Sequence, residues 1–129
     1  MAHGTFGTVI NCMDGRVQLP VIEWVKQKHK VDYVDSITEP GPVRILAEGK
    51  DLIAIESMRR RVHISVSKHG STVVTLVAHD DCAGNPVSKE TQLHQIPAAL
   101  RTIRSWGYGV TLQALWVDEH WTVHEVPQD

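Results

Sequence analysis

Ser71-Thr72-Val73-Val74-Thr75-Leu76-Val77-Ala78, followed by His79-Asp80-Asp81-Cys82-Ala83-Gly84, is the stretch that decides the fold. Its first part is almost continuously apolar or β-branched, as in a strand covered on both faces, and such strands belong to parallel sheets flanked by helices. Its second part carries a histidine, two aspartates and a cysteine, so side chains able to do chemistry emerge where the strand stops.

Toward the N-terminus, Thr8–Cys12 is a second short, apolar, β-branched run and reads as a buried strand. It ends at Asp14-Gly15. Val17–His29 carries Val17, Val21, Trp24 and Val25 on one stripe and reads as a helix, with Pro20 near its start. Val31–Ile37 reads as a strand, and Glu39-Pro40-Gly41-Pro42 as a loop. Helix is expected at Val43–Glu48 and again at Lys50–Lys68, with Gly70 as the stop. Toward the C-terminus, His79–Pro86 is loop. Ser88–Trp106 is helical with an expected kink, or two abutting helices, at Pro97. Val110–Val117 is a strand, and Asp118-Glu119 turns it into a hairpin with Trp121–Val126.

Strands alternating with helices predict a three-layer α/β domain with a mainly parallel central sheet. Right-handed crossovers restrict its topology. The expected strand order is 2-1-3-4, with the hairpin strand added at one edge. Strands 1 and 3 are then neighbours where the winding reverses, and ligands bind at the carboxyl ends of strands at such a point.

The chain has 129 residues, 42% hydrophobic and 22% charged. That suits one folded domain spanning residues 1–129. The net charge of −2 leaves no nucleic-acid footprint, and the run Arg59-Arg60-Arg61 reads as a solvated helix face. No apolar run approaches the ~20 residues of a membrane span. The N-terminal stretch lacks the features of a secretory signal, so a cytoplasmic location is expected. In that reducing setting the cysteines Cys12 and Cys82 read as metal-binding or catalytic before they read as a disulfide.

Taken singly, Cys12 reads as a small buried hydrophobe. The strand order, however, sets it opposite His79 and Cys82, because neighbouring strands lie about 4.8 Å apart. Two thiolates and an imidazole make a good Zn2+ set, and three protein ligands leave the fourth tetrahedral position open, as in catalytic zinc. Asp14, taken alone, reads as a helix N-cap. In this setting its carboxylate can reach the metal, as a possible fourth ligand, or a water on it. Arg16 can pair with it bidentately and hold it off the metal. Zinc lowers the pKa of a bound water to about 7, so a zinc-bound hydroxide is available at neutral pH to attack a small electrophile.

Cys12-x-Asp14-x-Arg16 followed by His79-x-x-Cys82 resembles the β-class carbonic anhydrases, and within them a short carbonic-anhydrase-like group. The resemblance runs from strand 1 to the closing strand. It implies zinc on Cys12, His79 and Cys82, an Asp–Arg dyad at Asp14 and Arg16, and reversible hydration of carbon dioxide to bicarbonate. It also implies a homo-oligomer, dimer or tetramer, with the pocket at the subunit interface. The chain departs from the family pattern at Ala83, which precedes Gly84 where the family has Cys-Gly. It departs again at Ile37–Pro42, where the family has Arg-Asn-Ala-Gly.

Two rival functions follow from the same residues. Thr38–Pro42 can admit carbon disulfide or carbonyl sulfide to the same metal hydroxide. Alternatively, Asp14 is a permanent fourth ligand and the domain is a non-catalytic zinc-binding oligomeric module. A nucleotide-binding α/β domain is disfavoured because no Gly-rich phosphate loop follows strand 1. His3, His29, His63, His69, His94, His120 and His124 read as surface or packing residues. Trp24, Trp106, Trp116 and Trp121 read as core or interface. Asp80 and Asp81 read as stabilisers of the loop before Cys82, one of them able to orient a ligand.

Overall fold

The computed structural model describes residues 3–128; Met1, Ala2 and Asp129 of the expected 1–129 domain lie outside the described residues. Five strands form one sheet in the order β2-β1-β3-β4-β5. They are β1 (Phe6–Cys12), β2 (Tyr33–Glu39), β3 (Val73–His79), β4 (Thr111–Val117) and β5 (Val123–Val126). The first four run parallel and β5 pairs antiparallel with β4, as the hairpin expectation held.

Four α-helices cover the sheet: α1 (Gln18–His29), α2 (Pro42–Glu48), α3 (Leu52–Ser67) and α4 (Lys89–Arg104). Three of their starts are chemically marked, and α1 begins without a side-chain cap. The Asp51 carboxylate caps α3 through the Ala54 N–H, the Ser88 hydroxyl caps α4 through the Thr91 N–H, and Pro42 opens α2. No helix is long and apolar enough to cross a membrane among the described residues.

Strand alternation splits the core in two. Ile10, Val74, Leu76, Ala78, Ala114 and Trp116 face α2, α3 and α4. Val9, Val77, Leu115 and Val117 face α1, which contributes Val21 and Val25. β3 is buried along its whole length, which explains its unbroken apolar pattern.

The elements differ from the sequence expectation at their ends and at Pro97. α4 is one helix through Pro97, not two. It buries Ile96, Ala99, Leu100 and Ile103 on both sides of the proline, and that continuous stripe outweighs the single N–H that proline removes. A one-turn 3-10 helix, Gly15–Val17, precedes α1 and takes Val17 out of the α-helix. β2 extends to Glu39 because that residue still pairs with Cys12. Of the arginine run only Arg60 is exposed; Arg59 and Arg61 are half-buried, Arg59 paired to Glu56 and Arg61 to Glu39 at 2.6 Å.

The register sets up the site. β1 follows β2 from Phe6↔Tyr33 to Cys12↔Glu39, but it pairs with β3 only over Thr8↔Val74 to Ile10↔Leu76. Beyond that, β1 and β3 run on without pairing, and the residues that end them flank the point where the winding reverses.

Candidate metal centre

Cys12 ends β1, His79 ends β3, and Cys82 lies in the loop that follows. The two sulfurs are 3.8 Å apart, and one ligand atom from each of the three residues lies within 4.8 Å of the others. Two zinc–sulfur bonds of 2.3 Å at the tetrahedral angle span about 3.8 Å. All three side chains are buried.

His79 is oriented for coordination. Its Nδ1 meets the Asp80 carbonyl oxygen at 2.7 Å, which assigns the ring proton to Nδ1 and the lone pair to Nε2. Nε2 is buried with no hydrogen-bond partner, an uncommon condition for a polar atom inside a protein. An orphaned imidazole nitrogen facing two thiols is what a metal ligand set requires before the ion is added.

Without a metal, the three groups share their protons, and only Cys12 is shifted toward its ligand form. Cys82 hydrogen-bonds to Cys12 and draws the Cys12 thiol far below its ordinary range against the effect of burial, with help from His79 and the backbone of Gly41 and Asp14. The same hydrogen bond, together with burial, pushes Cys82 up. Burial works against the His79 imidazolium, but Cys12 and the Asp80 carbonyl outweigh it and raise the His79 pKa. A divalent ion held by these groups would have to displace protons from Cys82 and His79.

Asp14 and Arg16 sit immediately beside it. The Asp14 carboxylate accepts from the Arg16 backbone N–H at 2.9 Å, from Nε at 3.0 and 3.2 Å, and from Nη2 at 2.7 Å. The hydrogen bonds from Arg16 hold the Asp14 carboxyl at about 2, against 3.8 ordinarily. Asp14 also caps the 3-10 turn, so one carboxylate both caps that turn and pairs with Arg16. The three-residue set of donors within reach of one another does not include Asp14.

Several residues that support the site carry no sequence signal of that role. Buried Gln92 on α4 donates to the His79 carbonyl at 2.9 Å. Gln18 donates to the carbonyls of Cys12 and Asp14, both at 2.8 Å, and fixes the turn between them. Asn85 is buried and donates to Gln95 at 2.7 Å. Gly41 and Gly84 let the loops after β2 and β3 meet backbone to backbone. The Asp80 backbone, and not its side chain, orients His79, while Asp81 reaches Arg16. The donors are closely packed, with Pro42, Val43, Val77 and Ala78 as apolar neighbours and Asn85 and Gln92 as polar ones.

The α/β sheet has the fold of solved carbonic anhydrases. The chain superposes on carbonic anhydrase from Streptococcus mutans with a TM-score of 0.59 at 15% identity, covering 98% of this chain and 87% of that one. It superposes on β-carbonic anhydrase isoform I from Trichomonas vaginalis with a TM-score of 0.59 at 13% identity, covering 92% and 80%. The carbonic anhydrase from Glaciozyma antarctica gives 0.56 at 14% identity, covering 93% and 81%. Identities this low establish the shared fold alone. No curated protein matches the sequence. The family described as "Putative carbonic anhydrase" matches residues 2–127, and the chain belongs to that family.

Proposed function

We propose that the protein is a zinc-dependent carbonate dehydratase that interconverts carbon dioxide and bicarbonate. The observation that carries this reading is the 3.8 Å separation of the Cys12 and Cys82 sulfurs beside an unpartnered, buried His79 Nε2. Those three atoms fit zinc, and a zinc ion held by them supplies a water-derived nucleophile at neutral pH.

The remaining steps fall to the chain itself. Arg16 keeps Asp14 ionised and its oxygens engaged, so Asp14 acts as a hydrogen-bond acceptor beside the ligand set and leaves the fourth coordination position open. Three N–H donors from Arg16 leave part of the carboxylate's capacity of about four lone pairs free to orient solvent. Pro42, Val43, Val77 and Ala78 set apolar side chains next to the donors, a surrounding that suits a small uncharged substrate. The same lining supports a second reading, hydration of carbon disulfide or carbonyl sulfide by the same groups. The bidentate hold of Arg16 on Asp14 argues against a closed, non-catalytic zinc module.

We read residues 1–129 as one zinc domain acting in the cytoplasm as a homo-oligomer. Met13 and Leu19, 62% and 69% exposed close in sequence to Cys12, supply apolar surface for a second subunit. The test is metal analysis together with stopped-flow hydration of the three substrates. About one zinc per chain and fastest turnover with carbon dioxide are expected. Zinc without turnover on any of them overturns the enzymatic reading.

A further inference from the structure

Arg16 is gripped from more than one side. Besides its bonds to Asp14, its Nη1 lies 3.3 Å from Asp81 Oδ2 and its Nη2 donates to the Asp81 carbonyl oxygen at 3.2 Å. Its guanidinium carbon sits 4.4 Å from the centre of the Trp121 ring. Planar stacking on an indole face is a favoured arrangement for arginine.

The backbone at both of these partners is unusual. Among the described residues, only Lys30, Asp81 and Trp121 are non-glycine residues with positive φ, at 55°, 56° and 61°. Lys30 ends α1, where a left-handed residue is ordinary. The other two both touch Arg16. Aspartate tolerates this conformation, but for a bulky residue such as tryptophan it is an outlier. Backbone outliers of this kind concentrate where function depends on a fixed geometry.

The turn that presents Trp121 is itself tied down. Asp118 Oδ1 accepts from the backbone N–H groups of His120 and Thr122 at 2.8 and 3.0 Å. The Trp121 N–H donates to the Asp118 carbonyl oxygen at 2.9 Å. The β4–β5 turn therefore holds the indole over a residue that lies more than a hundred positions away in sequence.

We propose that Trp121 and Asp81 are positioning residues that clamp the Arg16 guanidinium against Asp14, and so fix the Asp14 carboxylate beside the metal donors. The reaction they serve rests on the carbonic-anhydrase reading, whereas the clamp itself does not.

The experiment uses the full-length, zinc-loaded protein. The Arg16 Nε–H proton is followed by 15N–1H NMR, assigned with Arg16→Lys, in wild type, Trp121→Leu, Trp121→Phe and Asp81→Gly. Asp81→Gly keeps the left-handed backbone free of strain and removes only the carboxylate arm. Exchange of this proton with water is expected to quicken about tenfold or more in Trp121→Leu and measurably in Asp81→Gly, with Trp121→Phe restoring most of the protection. Carbon dioxide hydration by Trp121→Leu and Asp81→Gly is expected to lose about tenfold in kcat with KM and zinc content unchanged, and Trp121→Phe to keep most of it.

Unchanged Nε–H exchange in both Trp121→Leu and Asp81→Gly overturns the clamp. If Trp121→Leu does not fold, Asp81→Gly decides alone. If the wild type hydrates no substrate, the functional reading fails while the exchange measurement still decides the clamp.

Discussion

Gly84 and Gly41 touch through their backbones: a Cβ on Gly84 falls 2.7 Å from the Gly41 nitrogen and 2.5 Å from the Pro40 carbonyl carbon. Neither loop can yield without moving what it carries, since Gly84 follows Cys82 by two residues and Gly41 shapes the Cys12 environment. Gly84→Ala is therefore expected to destabilise the fold by about 1–3 kcal/mol, the usual cost of overpacking. It should also weaken zinc binding by about tenfold, as for other groups that orient ligands. Chelator competition measures the second effect and urea unfolding the first. An alanine variant with wild-type zinc affinity would show that the contact does not position the ligand.

Cys82→Ser separates metal binding from folding. The substitution is nearly isosteric and leaves the buried sheet intact, so the circular dichroism spectrum should match wild type. Zinc content should fall from about one per chain to near zero, because the serine hydroxyl is a poor substitute for a thiolate ligand. Full zinc retention by both Cys82→Ser and Cys12→Ser would sink the assignment.

Asp14 makes a signed pH prediction for the metal-free protein. Its carboxyl is held at about 2 in the fold against 3.8 ordinarily, first through the hydrogen bonds from Arg16. A group depressed on folding contributes stability that is complete above its unfolded pKa and fades as pH falls toward its folded one. Wild type should therefore exceed Asp14→Asn in urea stability at pH 6, and that margin should shrink between about pH 4 and pH 2. A margin independent of pH across that window would mean that Arg16 does not act on the ionised form.

Gln92 lies within the hydrophobic interior of α4 yet donates to the His79 carbonyl at 2.9 Å. Gln92→Leu keeps the volume and leaves that buried carbonyl unpaired, at a cost of about 1–3 kcal/mol in unfolding free energy. Because the carbonyl belongs to a ligand residue, zinc affinity should fall with it. Chemical denaturation of the apo and zinc forms reads both numbers.

The sheet was legible in the sequence because its information is local. Val73–His79 is buried at every position, so its pattern has no polar face to confuse it. Cys12, His79 and Cys82 were legible once the strand order was, since the order alone brings them together. Element ends were less so: Ser71 adjoins a β-branched run, but its hydroxyl accepts from Thr8 and it lies outside the strand. Pro97 reads as a break in any single-helix pattern, and only packing on both sides of it overrules that. Gly84, Gln92 and Trp121 act through contacts between segments far apart in the chain, which no periodicity encodes. Asp80 was legible only as a residue of the right loop, because its contribution comes from a backbone atom.

That last detail bears on how this centre can change over generations. The oxygen that selects the tautomer of His79 belongs to the main chain. Every amino acid at position 80 carries the same oxygen, so single replacements there other than proline, which would lose the N–H bonded to the Val117 carbonyl, leave the imidazole's orientation intact. The loop is free to vary its outward chemistry at that position while inheriting the same imidazole geometry, and an insertion, a deletion or a bend in the chain path is what takes it away.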